Sequence, residues 1–173
     1  MLPMSKHLRI LFVFAAAGLL ASCAQQATKT ASRSPLHRIE SVRTTAYAPG
    51  EDGGRKNAVG SKLSGDRVMS AASDWSRYPL GTRFRIVETK EVYVIDDYGT
   101  ALVGTNTIDL YKPSRLQMKR WGVRNVDIDI LKWGSNEESL KVLAPRKKHL
   151  PVQKMIVALQ RKASGHSNAP SAD

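Results

Sequence analysis

The chain has 173 residues and carries 27 Lys and Arg against 15 Asp and Glu, a formal net charge of +12. The part of that length that reads as folded, about 95 residues, supplies one hydrophobic core and not two, and a single cysteine rules out an internal disulfide. A basic balance of this size points to an anionic partner.

Residues 1–22 read as a lipoprotein signal peptide. Lys6, His7 and Arg9 make a short basic region, and Ile10 to Leu20 is an apolar run without charge. The run is too short to span a bilayer and has the layout of a secretory signal. It ends in Leu20-Ala21-Ser22-Cys23, which resembles a lipobox, with cleavage before Cys23 and a diacylglycerol on its thiol. Each buried methylene contributes about 0.8 kcal/mol, so several acyl chains on one residue anchor firmly. Ala24 stands where Asp would mark inner-membrane retention, so the expected location is the periplasmic face of the outer membrane. Removing residues 1–22 leaves 25 Lys and Arg against 15 acids, a net of +10. Export makes nucleic acid the wrong polyanion; peptidoglycan, with its lactyl and stem-peptide carboxylates, and anionic lipid head groups are within reach.

Residues 23–38 are rich in Ala, Gln, Thr, Ser and Lys and read as the lipid anchor and a flexible tether. The folded domain is expected over 39–134. Ser41 to Tyr47 is β-branched and alternating, which predicts a strand. Ala48 to Gly65 is a long loop of Gly, Lys, Asn and Ser, a length that tends to be functional in a compact domain. Strands are predicted at Arg67–Ala72, Arg83–Glu88, Glu91–Asp96, Thr107–Tyr111 and Asn125–Lys132. Val126, Ile128 and Ile130 are expected to face inward, with Asp127 and Asp129 on the wet face of the last strand. Pro113 at a first helical position, followed by Leu116, Met118 and Trp121 and stopped by Gly122, predicts one helix. Six short strands in about 95 residues have β-barrel spacing, not the spacing of a parallel α/β unit. Residues 135–173 form a basic extension through Arg146-Lys147-Lys148-His149, with a short helix carrying Met155, Ile156 and Leu159 on one stripe and a disordered end from Gly165. That stripe is better read as packing on the barrel than as a membrane or partner face.

Three acids sit at transitions between these elements: Asp74 before Tyr78-Pro79-Leu80-Gly81-Thr82, Asp97 before Gly99, and Asp109 within Thr107-Ile108-Asp109-Leu110-Tyr111. Singly, an Asp before a turn is most often a local cap. Together, Ala71-Ala72-Ser73-Asp74, Ile95-Asp96-Asp97-Tyr98-Gly99, Gly104 and Ile108-Asp109 resemble the three-aspartate (3D) domain, shared with the C-terminal part of the membrane-bound lytic transglycosylase A family. Thr44-Thr45-Ala46-Tyr47 is similar to that family's first strand. The resemblance covers about residues 39–134. Where the family commonly reads Asp-x-Gly-Gly-Ala-Ile-Lys-Gly, this chain has Asp97-Tyr98-Gly99-Thr100-Ala101-Leu102-Val103-Gly104.

The resemblance implies a mainly β fold, a six-stranded double-psi β-barrel with one or two short helices and a glycan groove. It implies cleavage of the β-1,4 bond between N-acetylmuramic acid and N-acetylglucosamine with a 1,6-anhydro product. By the same resemblance Asp109 is the general acid/base, with Asp97 and Asp74 in support. Tyr47, Tyr98 and Trp121 are candidate sugar contacts, although a Trp at a helix end is more often core. The chemistry needs a carboxyl held protonated near neutral pH, which burial and like charge bring about. An ordinary glycosidase needs a second carboxylate, whereas a sugar that attacks through its own 6-hydroxyl needs one acid that later acts as base. His7, His37, His149 and His166 are scattered without metal-ligand spacing, and no phosphate loop or Ser–His arrangement is present. No cofactor or metal is therefore expected, and the protein is read as a monomer. Two further readings remain open: a non-catalytic peptidoglycan-binding lipoprotein on the same barrel, and a structural partner of an envelope machine.

Overall fold

A computed structural model of the chain describes residues 35–50 and 55–166. The expected signal peptide, Cys23 and most of the expected tether lie outside these residues. Within them the chain builds strands β1 (His37–Tyr47), β2 (Met69–Ala72), β3 (Arg83–Ile86), β4 (Val92–Asp97), β5 (Ile108–Tyr111) and β6 (Arg124–Lys132), and helices α1 (Arg115–Trp121), α2 (Asn136–Leu143) and α3 (Leu150–His166).

The six strands close into a barrel in the order β1-β5-β2-β4-β3-β6. The pairs β1/β5 and β2/β4 are parallel, and the other four are antiparallel. Period-two alternation creates the inside. Val42, Phe84, Ile86, Tyr93, Ile95, Ile108, Leu110, Ile128 and Ile130 are fully buried, each contributing roughly 1.5–3 kcal/mol of transfer free energy. Closure leaves no exposed sheet edge.

The extension after β6 is part of the same core, as the apolar stripe predicts. Leu143 of α2 and Val152, Met155 and Leu159 of α3 are buried in one cluster with the barrel residues, and Ile156 packs against it. The Pro-Leu-Gly-Thr turn holds the junction. Ser135 N–H donates to the Leu80 carbonyl, and Leu80 N–H donates to Ser139 Oγ, each at 2.9 Å. Gly134 lies so close to this turn that a Cβ there would stand 2.2 Å from the Leu80 carbonyl oxygen and 2.4 Å from that of Pro79. No helix among the described residues is long and apolar enough to cross a membrane.

Five expectations need correction. The first strand begins at His37, inside the expected tether, because Leu36 and His37 already pair with Ile130 of β6. The first helix is capped by Ser114, whose Oγ accepts from Gln117 N–H, so Pro113 precedes the helix instead of starting it. There are three α-helices among the described residues, not one or two, since Ser135 caps a separate α2. The last helix continues to His166, past the expected break at Gly165. Asp129 is buried rather than wet: Arg38 Nε and Arg85 Nη2 donate to its two carboxylate oxygens at 2.9 Å each. These two guanidinium groups cover the carboxylate near the barrel surface and hold it below the usual carboxylate range.

Candidate active site

β2 is the floor of the site. Ala71 is the register partner of Leu110, and both are fully buried inside the barrel. The next pair, Ala72 and Asp109, therefore belongs to the outer wall, because successive side chains leave a strand on opposite faces. A register shift between Ala71 and Ala72 makes Asp97 the partner of Ala72 on the other side. Asp109, Ala72 and Asp97 thus form one row across β5, β2 and β4. Two strand spacings separate the outer members, about 10 Å at Cα. The methyl group of Ala72 keeps the floor between them low.

Each carboxylate of the row has a distinct environment. Asp109 is half-buried and accepts from Thr45 Oγ1 at 2.7 Å, its register partner on β1. Asp97 ends β4, and its Oδ1 accepts from Tyr98 N–H at 2.9 Å. Burial, and then the neighbouring Asp96, push the Asp97 carboxyl up to about 6 against the pull of backbone amides and Arg146. Asp96 is also raised, by burial, although Ser70 Oγ and Asn57 Nδ2 donate to its Oδ2 at 2.7 and 2.8 Å. Asn57 comes from the long loop after β1, and Arg146 Nη2 donates to Ala58 O at 2.8 Å. Loop and extension together wall the site on the β4 side.

Tyr47 joins the group at the hydroxyl and not by an open ring face. Its ring packs on Tyr111 with centroids 5.4 Å apart, and its hydroxyl is buried with no hydrogen-bond partner among the described residues. Burial is the main reason the phenol holds its proton far above the usual range, followed by the charges of Asp97, Asp96 and Asp109. Asp96 Oδ1 is likewise buried without a partner. A buried polar atom with no protein partner is where water or a substrate hydroxyl is accommodated.

The remaining expected residues fall in different places. Asp74 is 3% exposed, and both its oxygens are used by backbone amides, Ser76 N–H at 2.8 Å and Gly104 N–H at 2.7 Å. Its role is to clasp the loop that leads into β5. Gly104 has φ of 85°, which a glycine adopts without strain. Trp75 Nε1 donates to the Asp97 carbonyl at 2.7 Å, which fixes the end of β4. Tyr98 packs edge-on against Trp75 at 5.2 Å and faces the Arg146 guanidinium at 6.0 Å, so it lines the Asp97 side. Trp121 is not in the row. Its Nε1 donates to Thr44 Oγ1 at 3.1 Å, whereas Asp109 is held by Thr45, whose side chain leaves β1 on the opposite face. Among the described residues no group of His, Cys, Asp and Glu is arranged to hold a metal ion.

Asn57 and Ser70 are polar partners that a reading of motifs overlooks, since each is an ordinary residue until the barrel closes, and Thr45, named only as part of the first strand, holds Asp109. No protein-family model matches the chain, and no curated protein matches it either.

Proposed function

We propose that this protein is an envelope lipoprotein that cleaves peptidoglycan glycan strands in the manner of a lytic transglycosylase. The observation that carries the reading is the row of Asp109, Ala72 and Asp97, with one carboxyl raised to about 6 and a buried tyrosine hydroxyl beside it. Below about pH 6 Asp97 retains its proton. Asp109 is the member proposed to face the scissile bond. It donates the proton to the departing glycosidic oxygen as the C1–O bond of N-acetylmuramic acid breaks. The 6-hydroxyl of the same sugar then attacks C1 and gives its proton to the Asp109 carboxylate, which restores the acid. The products are a 1,6-anhydro sugar and a free hydroxyl on the N-acetylglucosamine. Lipid on Cys23 would hold the enzyme at the outer membrane, within reach of the wall.

A non-catalytic wall-binding role on the same barrel draws support from the net charge of +10 after residue 22 and from exposed Lys147 and Lys148. Incubating the detergent-solubilised protein with sacculi separates the two. Anhydro-muropeptides from the wild type and none from Asp109→Asn fit cleavage. Pelleting with sacculi without any product, lost on Lys147→Glu with Lys148→Glu, fits binding alone.

A further inference from the structure

A cavity of about 410 Å³ opens at the far end of β5 from Asp109, lined among others by Glu91, Lys112, Gln117, Arg120, Trp121 and Arg124. This volume falls in the roughly 300–1,000 Å³ range of small-molecule sites. The cavity is distinct from the carboxylate row. Lys112 follows β5 three residues after Asp109, about 10 Å along the strand, and Trp121 lies on the other face of β1.

Its chemistry is cationic. Lys112 is only 6% exposed, and its Nζ donates to both oxygens of Glu91 at 3.2 and 3.0 Å and to the Tyr93 hydroxyl at 2.7 Å. Glu91 thus balances Lys112. Nothing in the cavity lining balances Arg120 and Arg124. Arg124 spends Nε and Nη2 on backbone carbonyls of α1 and stacks its guanidinium 4.4 Å from the Trp121 ring centroid. Lys112 Nζ stands 4.6 Å from the same ring. The Arg120 side chain makes no hydrogen bond among the described residues. Two cations therefore stand over one indole and a third, Arg120, lines the same cavity, with Glu91 the one carboxylate in the lining. An open site with a buried lysine and indole at its base and two exposed guanidinium groups at its rim favours a ligand that brings a negative charge and can offer two oxygens to a guanidinium.

We infer that this cavity is a second binding site, for a small organic anion whose carboxylate or phosphate meets Arg120 and Arg124 while its body lies against Trp121. The site is independent of the cleavage reading, because none of its residues belongs to the carboxylate row.

Two-dimensional NMR of the full chain, read at the indole N–H signals, tests it. The three tryptophans give three resonances, and Trp121 is assigned by its loss in Trp121→Phe. The probes are N-acetyl-alanine, its uncharged amide, and inorganic phosphate. The expected result is a saturable shift of the Trp121 signal with the carboxylate or with phosphate, and none with the amide. The arm that saturates at the lower concentration identifies the anion class. Arg120→Gln, a substitution on the helix surface, weakens the binding about tenfold, the loss expected for one charge-assisted contact. Asp109→Asn leaves it unchanged. A Trp121 signal that stays fixed with both anions, moves equally with the amide, or responds identically in Arg120→Gln overturns the inference.

Discussion

Asp109 on β5 and Asp97 on β4 share one strand neighbour: Ala72 of β2 is the register partner of both. The register shift at Ala71/Ala72 selects the second carboxylate, because without it Asp96 and not Asp97 would be the partner of Ala72. A bulky side chain on this floor would fill the space between the carboxyls. Ala72→Leu is expected to abolish glycan cleavage while the protein stays folded, as judged by circular dichroism and muropeptide release.

The raised Asp97 carboxyl makes a pH prediction. Its folded value of about 6 lies above its ordinary value of 3.8. Cleavage that needs the retained proton falls as pH rises through about 6, and Asp97→Asn removes that limb from the rate profile. The same shift bears on stability. A carboxyl raised by folding favours the folded state most below its unfolded value, and that contribution disappears as pH rises through the folded value. At neutral pH the ionised Asp97 is therefore a cost, and Asp97→Asn is expected to stabilise the fold by roughly 1–2 kcal/mol after allowance for solvent screening. A thermal melt at pH 7.5 against one at pH 4 checks the sign, with the gain present only at the higher pH.

Asp129 behaves in the opposite sense. Arg38 and Arg85 lower its carboxyl, so the stability it contributes is present above the ordinary carboxylate range and is lost as pH falls through its folded value. Asp129→Asn is expected to lower Tm at neutral pH and to flatten the acid side of the Tm profile.

Gly134 is a steric requirement of the junction between barrel and extension. A methyl group there would meet backbone oxygens of Leu80 and Pro79 and not a side chain able to move aside. Gly134→Ala is expected to cost about 1–3 kcal/mol, read by urea unfolding. Truncating Leu159, fully buried on α3, to Ala is expected to cost about 2–5 kcal/mol. An effect near zero would mean that α3 is not part of the cooperative fold.

Strand positions are legible in the sequence because alternation is a local signal. Ile108, Leu110, Val126, Ile128 and Ile130 announce their face from spacing alone. The helix stop at Gly122 and the buried stripe of Met155 and Leu159 are legible for the same reason. Asp129 was not, because its inward neighbours Ile128 and Ile130 made it look solvent-facing, and the two arginines that cover it come from β1 and β3, more than 40 positions away. In the site, Asp97 and Asp109 could be singled out by motif, but their relation through Ala72 follows from the β2/β4 register shift, which no local pattern reveals. Lys112 gave no signal. Its partners Glu91 and Tyr93 lie about 20 positions away and reach it only through closure of the barrel.

Glycan cleavage through Asp109 is tested by mass spectrometry of muropeptides released from sacculi by the wild-type protein beside Asp109→Asn. Cleavage through Asp109 gives 1,6-anhydro-muropeptides from the wild type alone, with both proteins pelleting equally with the sacculi. Release of no product by the wild type, or of equal product by the variant, would contradict it.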